Sequence, residues 1–298
     1  MGAPEVRWAH RRGRGGAGSL IIDAHQHFWD LARADYAWLT PDAGVLYRNY
    51  LPHDLAGTLR DNGVSATVLV QAAATEDETH YLLQLAEAHP FVAGVVGWVD
   101  FEAPDAPKRI AALAAACGRK LKGLRPMIQD IVDCTWITKS TLDAAFKSMI
   151  AHDLVFDALV RPKHLNALRA RLIRHPKLCA VLDHAGKPDI ARGDIDAWAS
   201  DIEQLARETS SFCKLSGLLT EAGDRNSADD LAPVVAHIFS CFGPERVIWG
   251  SDWPVLTRVS GYAQWLELSR NLINRFAAGH AADVLANSAR RLYRLKLN

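Results

Sequence analysis

Eight short apolar runs, each separated from the next by a longer stretch with helical spacing, leave few folds open to this chain. They are LIIDAH (20–25), TVLVQA (67–72), FVAGVVGWV (91–99), LKGLRP (121–126), LVFDALV (154–160), LCAVLDH (178–184), FCKLSG (212–217) and RVIWGSD (246–252). Runs of this length suit strands buried on both faces. Between them, DETHYLLQLAEAH (77–89), DAPKRIAALAAAC (105–117), KHLNALRARLIRH (163–175) and DAWASDIEQLARE (196–208) space their apolar residues as amphipathic helices do. Strand then helix, eight times over, predicts an α/β fold: a single (β/α)8 barrel of the TIM type. A doubly wound open sheet would want a Gly-rich turn after its first strand, whereas this strand ends in His-Gln-His.

The Arg- and Gly-rich residues 1–19 lack the apolar stretch of a secretory signal and read as a disordered leader or an over-called start, so the barrel domain is placed at 20–298. Residues 28–62 carry Trp29, Tyr36, Trp38, Tyr47 and Tyr50, too long and too aromatic a connection to be a plain loop, and are expected to fold over the barrel mouth as a lid. Basic and acidic side chains balance at 34 each, which gives no electrostatic reason to expect nucleic acid or a membrane surface as partner. A small molecule is expected instead, with self-association into a homo-oligomer left open. Five scattered cysteines fit a reducing cytoplasm better than a disulfide framework.

Sites of such barrels lie at the carboxyl ends of the strands. The residues there are His25 and His27, Gln71, Trp98 with Asp100, Arg125, Asp157, His184, Lys214 with Ser216, and Asp252 with Trp253. His25 and His27 share one face of the first strand by alternation, and two imidazoles at a strand end suit a divalent metal. His184 stands at the end of the sixth strand, while Asp183 is expected to point the other way as a loop cap or supporting partner. Arg125, followed by Pro126, is expected to project into the mouth. Asp252 is clamped by Trp253 and Pro254, and burial is expected to lift its pKa toward the range useful for a base. Lys214 and Asp157 read rather better as an interior ion pair than as catalysts.

With DAHQHFW, LDHAGKP, CKLSGL and GSDWP in this order, the chain resembles the amidohydrolase superfamily from about residue 20 to 295, and within it the sugar-lactone hydrolase branch. That resemblance implies a somewhat distorted (β/α)8 barrel, hydrolysis of an intramolecular ester, and a site built on His25, His27, His184 and Asp252. The superfamily's fifth-strand histidine is replaced here by Asp157, and the fourth strand offers Lys122 and Arg125, so a carboxylated-lysine bridge between two metals is not expected. The branch implies one divalent ion, with zinc foremost, or none required; His25, His27 and Asp252 are the expected ligands.

Opening a lactone needs an activated water, stabilisation of charge on the carbonyl oxygen, and a proton for the ring oxygen. Asp252 is assigned the water's proton, and Arg125, His184 or a metal the oxyanion. Gln71, Lys187 and Lys214 are expected to meet substrate hydroxyls, and Trp29, Trp98 and Trp253 the apolar face of a sugar lactone. Two rivals remain at this stage: metal-dependent decarboxylation of an aromatic or unsaturated acid on the same scaffold, and a non-catalytic barrel that binds a metabolite.

Overall fold

A computed structural model describes residues 20–116 and 120–297. The leader and Cys117 therefore lie outside the described residues. Eight parallel strands follow one another around a single sheet: β1 (Ile22–Gln26), β2 (Ala66–Val70), β3 (Val92–Gly97), β4 (Leu121–Leu124), β5 (Val155–Ala158), β6 (Ala180–Leu182), β7 (Phe212–Leu215) and β8 (Val247–Trp249). Each falls in an apolar run of the sequence to within one residue. The seam between β1 and β8 closes just beyond β8, where Asp252 N–H donates to His25 O at 2.8 Å and His27 N–H to Trp253 O at 2.7 Å. Register shifts along β1–β2, β2–β3 and β3–β4 distort the barrel.

Around the sheet run α1 (Pro52–Asp61), α2 (Glu76–Ala88), α3 (Ala106–Ala116), α4 (Asp143–Ala151), α5 (Leu165–Arg174), α6 (Asp196–Glu208), α7 (Ala228–Phe242) and α8 (Tyr262–Phe276). Their apolar faces and the outward strand residues form one large core. A second cluster fills the barrel itself: Ile22, Ala24, Val68, Val70, Val96, Val155, Val181 and Ile248 meet Ala289, Leu292 and Tyr293 of the C-terminal segment that includes α9 (Ser288–Leu292). That segment plugs the barrel.

The aromatic stretch 28–62 needs one correction. Its last ten or so residues are α1, the first helix of the outer ring, which buries Leu55 and Leu59 in the core. The lid is the part before it. Trp29 and Tyr50 exchange backbone hydrogen bonds of 2.9 and 3.0 Å, tying the loop's two ends together in the manner of an Ω-loop. The ring of Trp29 then packs edge-on against Trp38 and Tyr50 at 5.4 and 5.3 Å. No helix of the described residues is long and apolar enough to cross a membrane.

Candidate active site

At the carboxyl ends of the strands lies a cavity of about 310 Å³, at the lower end of the ~300–1,000 Å³ usual for small-molecule sites. Asp252, His27, His184 and Arg125 form its polar wall, and Trp29, Trp38, Met127, Leu159 and Val255 its apolar one.

Asp252 stands at the centre. Its Oδ1 lies 3.3 Å from His27 Nε2, 3.7 Å from His25 Nε2 and 3.9 Å from His184 Nε2. The expected upward pKa shift is overturned. Burial alone would raise the carboxyl, but His184, His27 and His25 outweigh it and hold it well below the usual carboxylate range. Asp252 is thus ionised at neutral pH.

Each imidazole is oriented from behind. His27 Nδ1 lies 2.7 Å from Val70 O. A carbonyl only accepts, so this nitrogen carries the proton and Nε2 faces Asp252. His184 Nδ1 meets Ser216 Oγ at 2.9 Å, and burial pushes the ring's pKa down to about 4. His25 Nδ1 lies 3.5 Å from Asp183 Oδ1 and 3.1 Å from Lys214 Nζ; burial, reinforced by that ammonium, keeps the ring neutral.

The sixth strand corrects the expected alternation. Val181 belongs to the barrel interior, so Asp183, two residues on, points inward with it. His184 should then face outward, but its φ of +51°, followed by +51° at Ala185, swings the ring back into the mouth. Asp252 has φ +59° as well. Two non-glycine residues in this costly region, facing each other, mark a site where geometry outranks backbone comfort.

Room for this arrangement comes from two motif glycines. A methyl group on Gly250 would come within 2.7 Å of His25 Cβ, and one on Gly217, itself at φ +63°, within 2.5 Å of His184 Nδ1. Gly217→Ala should therefore displace His184 and lower kcat/KM by roughly 10- to 100-fold, the range that a misplacement of about 1 Å can cost. Steady-state kinetics test this, and a value within twofold of the unmodified chain would show that the ring has space to yield.

Asp183 is fully buried, with Lys214 Nζ at 2.9 Å and Arg125 Nη1 at 3.6 Å. Lys214 also meets Asp157 Oδ2 at 2.5 Å, and Tyr293 of the plug donates to the same oxygen at 2.7 Å. Burial would strip the charge from Lys214, yet the two carboxylates hold its pKa above the ordinary value. Lys214 and Asp157 are accordingly an interior ion pair beneath the site.

Several residues expected to touch substrate are placed elsewhere. Gln71 is fully buried: its Nε2 donates to Arg125 O at 2.7 Å, and its own carbonyl accepts from Arg125 Nη2, so it aims the arginine. Trp253 is buried against Tyr50 and Phe28, at 5.2 and 5.9 Å. Trp98 is held by its backbone to Thr79, and neither tryptophan lines the cavity. Lys187 does line it, ion-paired with Glu221 at 3.6 Å. Sequence reading missed Met127, Gln129, Asp130, Leu159 and Val255 of the wall. The signal for the first three was the length of the 125–142 connection between β4 and α4, too long for a simple turn.

A metal would find a suitable donor set. Ligand atoms of His25, His184 and Asp252 all lie within 4.8 Å of one another. Two uncharged imidazoles and an ionised carboxylate are what a divalent ion takes. His27, expected as a ligand, lies outside this group of three, where His184 stands instead, and meets it through Asp252 Oδ1 at 3.3 Å.

Comparison with known proteins agrees with this architecture. The family model described as Amidohydrolase matches residues 22–295. The chain is 45% identical to the L-fucono-1,5-lactonase of Burkholderia ambifaria over 92% of its own length and 95% of the relative's. It is 37% identical to the L-fucono-1,5-lactonase of Burkholderia multivorans, covering 93% and 97%. A crystal structure of an amidohydrolase from Burkholderia multivorans with bound zinc superposes with a TM-score of 0.86 at 35% identity, covering 93% of this chain and all of that one. With a barrel of this topology, this cluster at its mouth and a match along nearly its whole length, the chain belongs to the amidohydrolase family.

Proposed function

We propose that this chain hydrolyses the ring ester of a neutral sugar lactone, L-fucono-1,5-lactone foremost, to the free sugar acid. The observation that carries this reading is an ionised carboxylate held among three imidazoles, with an arginine on the same polar wall, in a cavity whose other wall is apolar. Likeness to two L-fucono-1,5-lactonases supports the choice of sugar.

Asp252 takes the proton of the attacking water and returns it to the ring oxygen as the ester opens. Arg125, aimed by Gln71, stabilises the oxyanion, an interaction typically worth ~3–4 kcal/mol. Trp38 offers a flat surface for the ring's apolar face, with the buried Trp29 packed behind it, and Gln129, Asp130 and Lys187 offer polar groups for its hydroxyls. A single divalent ion, zinc foremost, would be held by His25, His184 and Asp252, with His27 beside them, and would polarise the carbonyl and ease deprotonation of water. An ionised carboxylate of low basicity is a weak base unaided, which favours such assistance.

The charge inventory favours a neutral substrate. Among the described residues lining the cavity, the fixed cations are Arg125 and Lys187, and each already faces a carboxylate. A dicarboxylate would need two further partners for its charges. Turnover of L-fucono-, L-rhamnono-, D-galactono- and D-glucono-lactones beside 2-pyrone-4,6-dicarboxylate, followed with a pH indicator, tests this. We expect a sugar lactone to give the highest kcat/KM, and preference for the pyrone would overturn the assignment.

A further inference from the structure

One buried acid outside the catalytic cluster is tied to both walls of the cavity. Glu78, in the first turn of α2, is fully buried, and its carboxylate accepts from Ala72 N–H at 3.0 and 3.1 Å and from Ala73 N–H at 2.8 Å. The turn so gripped, Gln71–Ala73, is where two functional parts attach. The carbonyl of Gln71 accepts from Arg125 Nη2, and that of Ala72 accepts from the indole N–H of the lid's Trp38 at 2.8 Å. Helix capping explains none of this, because Thr75 already caps α2 by accepting from Glu78 N–H at 3.1 Å.

We propose that Glu78 is a positioning residue for the substrate: by fixing the Gln71–Ala73 turn it sets the lid tryptophan and the oxyanion-binding arginine together. The inference rests on the reading of this cavity as the lactone site. It also makes substrate binding sensitive to pH. Burial raises the Glu78 carboxyl to about 7, against the pull of the Ala73 and Ala72 N–H groups and of Arg125. The groups facing it are Tyr36 from the lid, Tyr81 from its own helix and Arg125 from the end of β4, with the Arg33–Asp35 pair behind the tyrosines. Burial raises both tyrosines, so they stay neutral over the same range. Above pH 7 the carboxylate grips both N–H groups; below it, one oxygen becomes a hydroxyl and the grip weakens.

Glu78→Gln removes that second acceptor without changing size. kcat/KM for L-fucono-1,5-lactone should fall about tenfold, with KM raised and kcat lowered together, since the tryptophan encloses the substrate and the arginine serves the transition state. In the unmodified chain KM should climb as pH falls from 8 to 6, in the variant it should not, and Glu78→Asp should recover part of the loss. Amide hydrogen exchange gives an arm that needs no substrate: residues 36–50 and 71–75 should both exchange faster in Glu78→Gln. If that variant does not fold, the unmodified chain should still lose protection in both segments between pH 8 and 6, after correction for the intrinsic rate. An unchanged KM and pH profile, a loss confined to kcat, or faster exchange at 71–75 with residues 36–50 unaffected would each overturn the proposal. Absence of lactone turnover in the unmodified chain would instead count against the proposed reaction, with the exchange arm still deciding the role of Glu78.

Discussion

Asp252→Asn should lower kcat by at least 100-fold, and by up to about 10,000-fold, with the fold retained; that is the span attributed to general acid–base catalysis. An amide of equal size cannot take a proton from water. It does keep the backbone comfortable, because asparagine tolerates the left-handed conformation that residue 252 adopts. The substitution also removes the one carboxylate shared by His25, His27 and His184. Metal content of the purified variant, measured beside kcat, should therefore fall as well. Retention of more than about a tenth of kcat, a change of only ~1.4 kcal/mol, would take Asp252 out of the base role.

The largest expected effect on stability lies beneath the site. Lys214→Met should destabilise the chain by roughly 3–5 kcal/mol, because removing one partner of a buried ion cluster leaves the others uncompensated. Both Asp157 and Asp183 are fully buried, and Lys214 is the cation that touches both, at 2.5 and 2.9 Å. Methionine fills a similar volume, so the loss reports charge more than packing. The double variant Lys214→Met with Asp157→Asn should recover part of it, since one stranded carboxylate is gone. Denaturant midpoints of the three proteins check this, and a single variant within 1 kcal/mol of the unmodified chain would show that the cluster tolerates its own dissection.

How much of the site could be read beforehand depended on distance along the chain. His25, His184 and Asp252 were legible because each ends an apolar run, and His27 because it stands two residues past one; a barrel puts all such ends on one rim. Arg125 was legible for the same reason. Its aim was not, because Gln71, 54 residues away, supplies it. The inward turn of His184 was hidden because a positive φ at a histidine leaves no trace in an alternating pattern. Met127 and Leu159 entered the wall through connections whose paths composition does not fix.

By itself, then, the sequence determined the eightfold repeat of strand and helix, the rim on which chemistry would sit and the residue types available there. Those are local properties: apolar periodicity and strand ends are set by neighbours a few positions apart. Tertiary structure alone decided which of these groups meet. Lys214 could have faced substrate but is neutralised by Asp157 and Asp183, 57 and 31 positions earlier, with Tyr293 closing the set from below. Asp252 could have been a carboxyl raised by burial but is ionised, because three imidazoles at and just beyond the ends of β1 and β6 surround it. Burial and charge pairing act through space in a medium of low polarity, where a contact of 3 Å outweighs any preference written in adjacent residues.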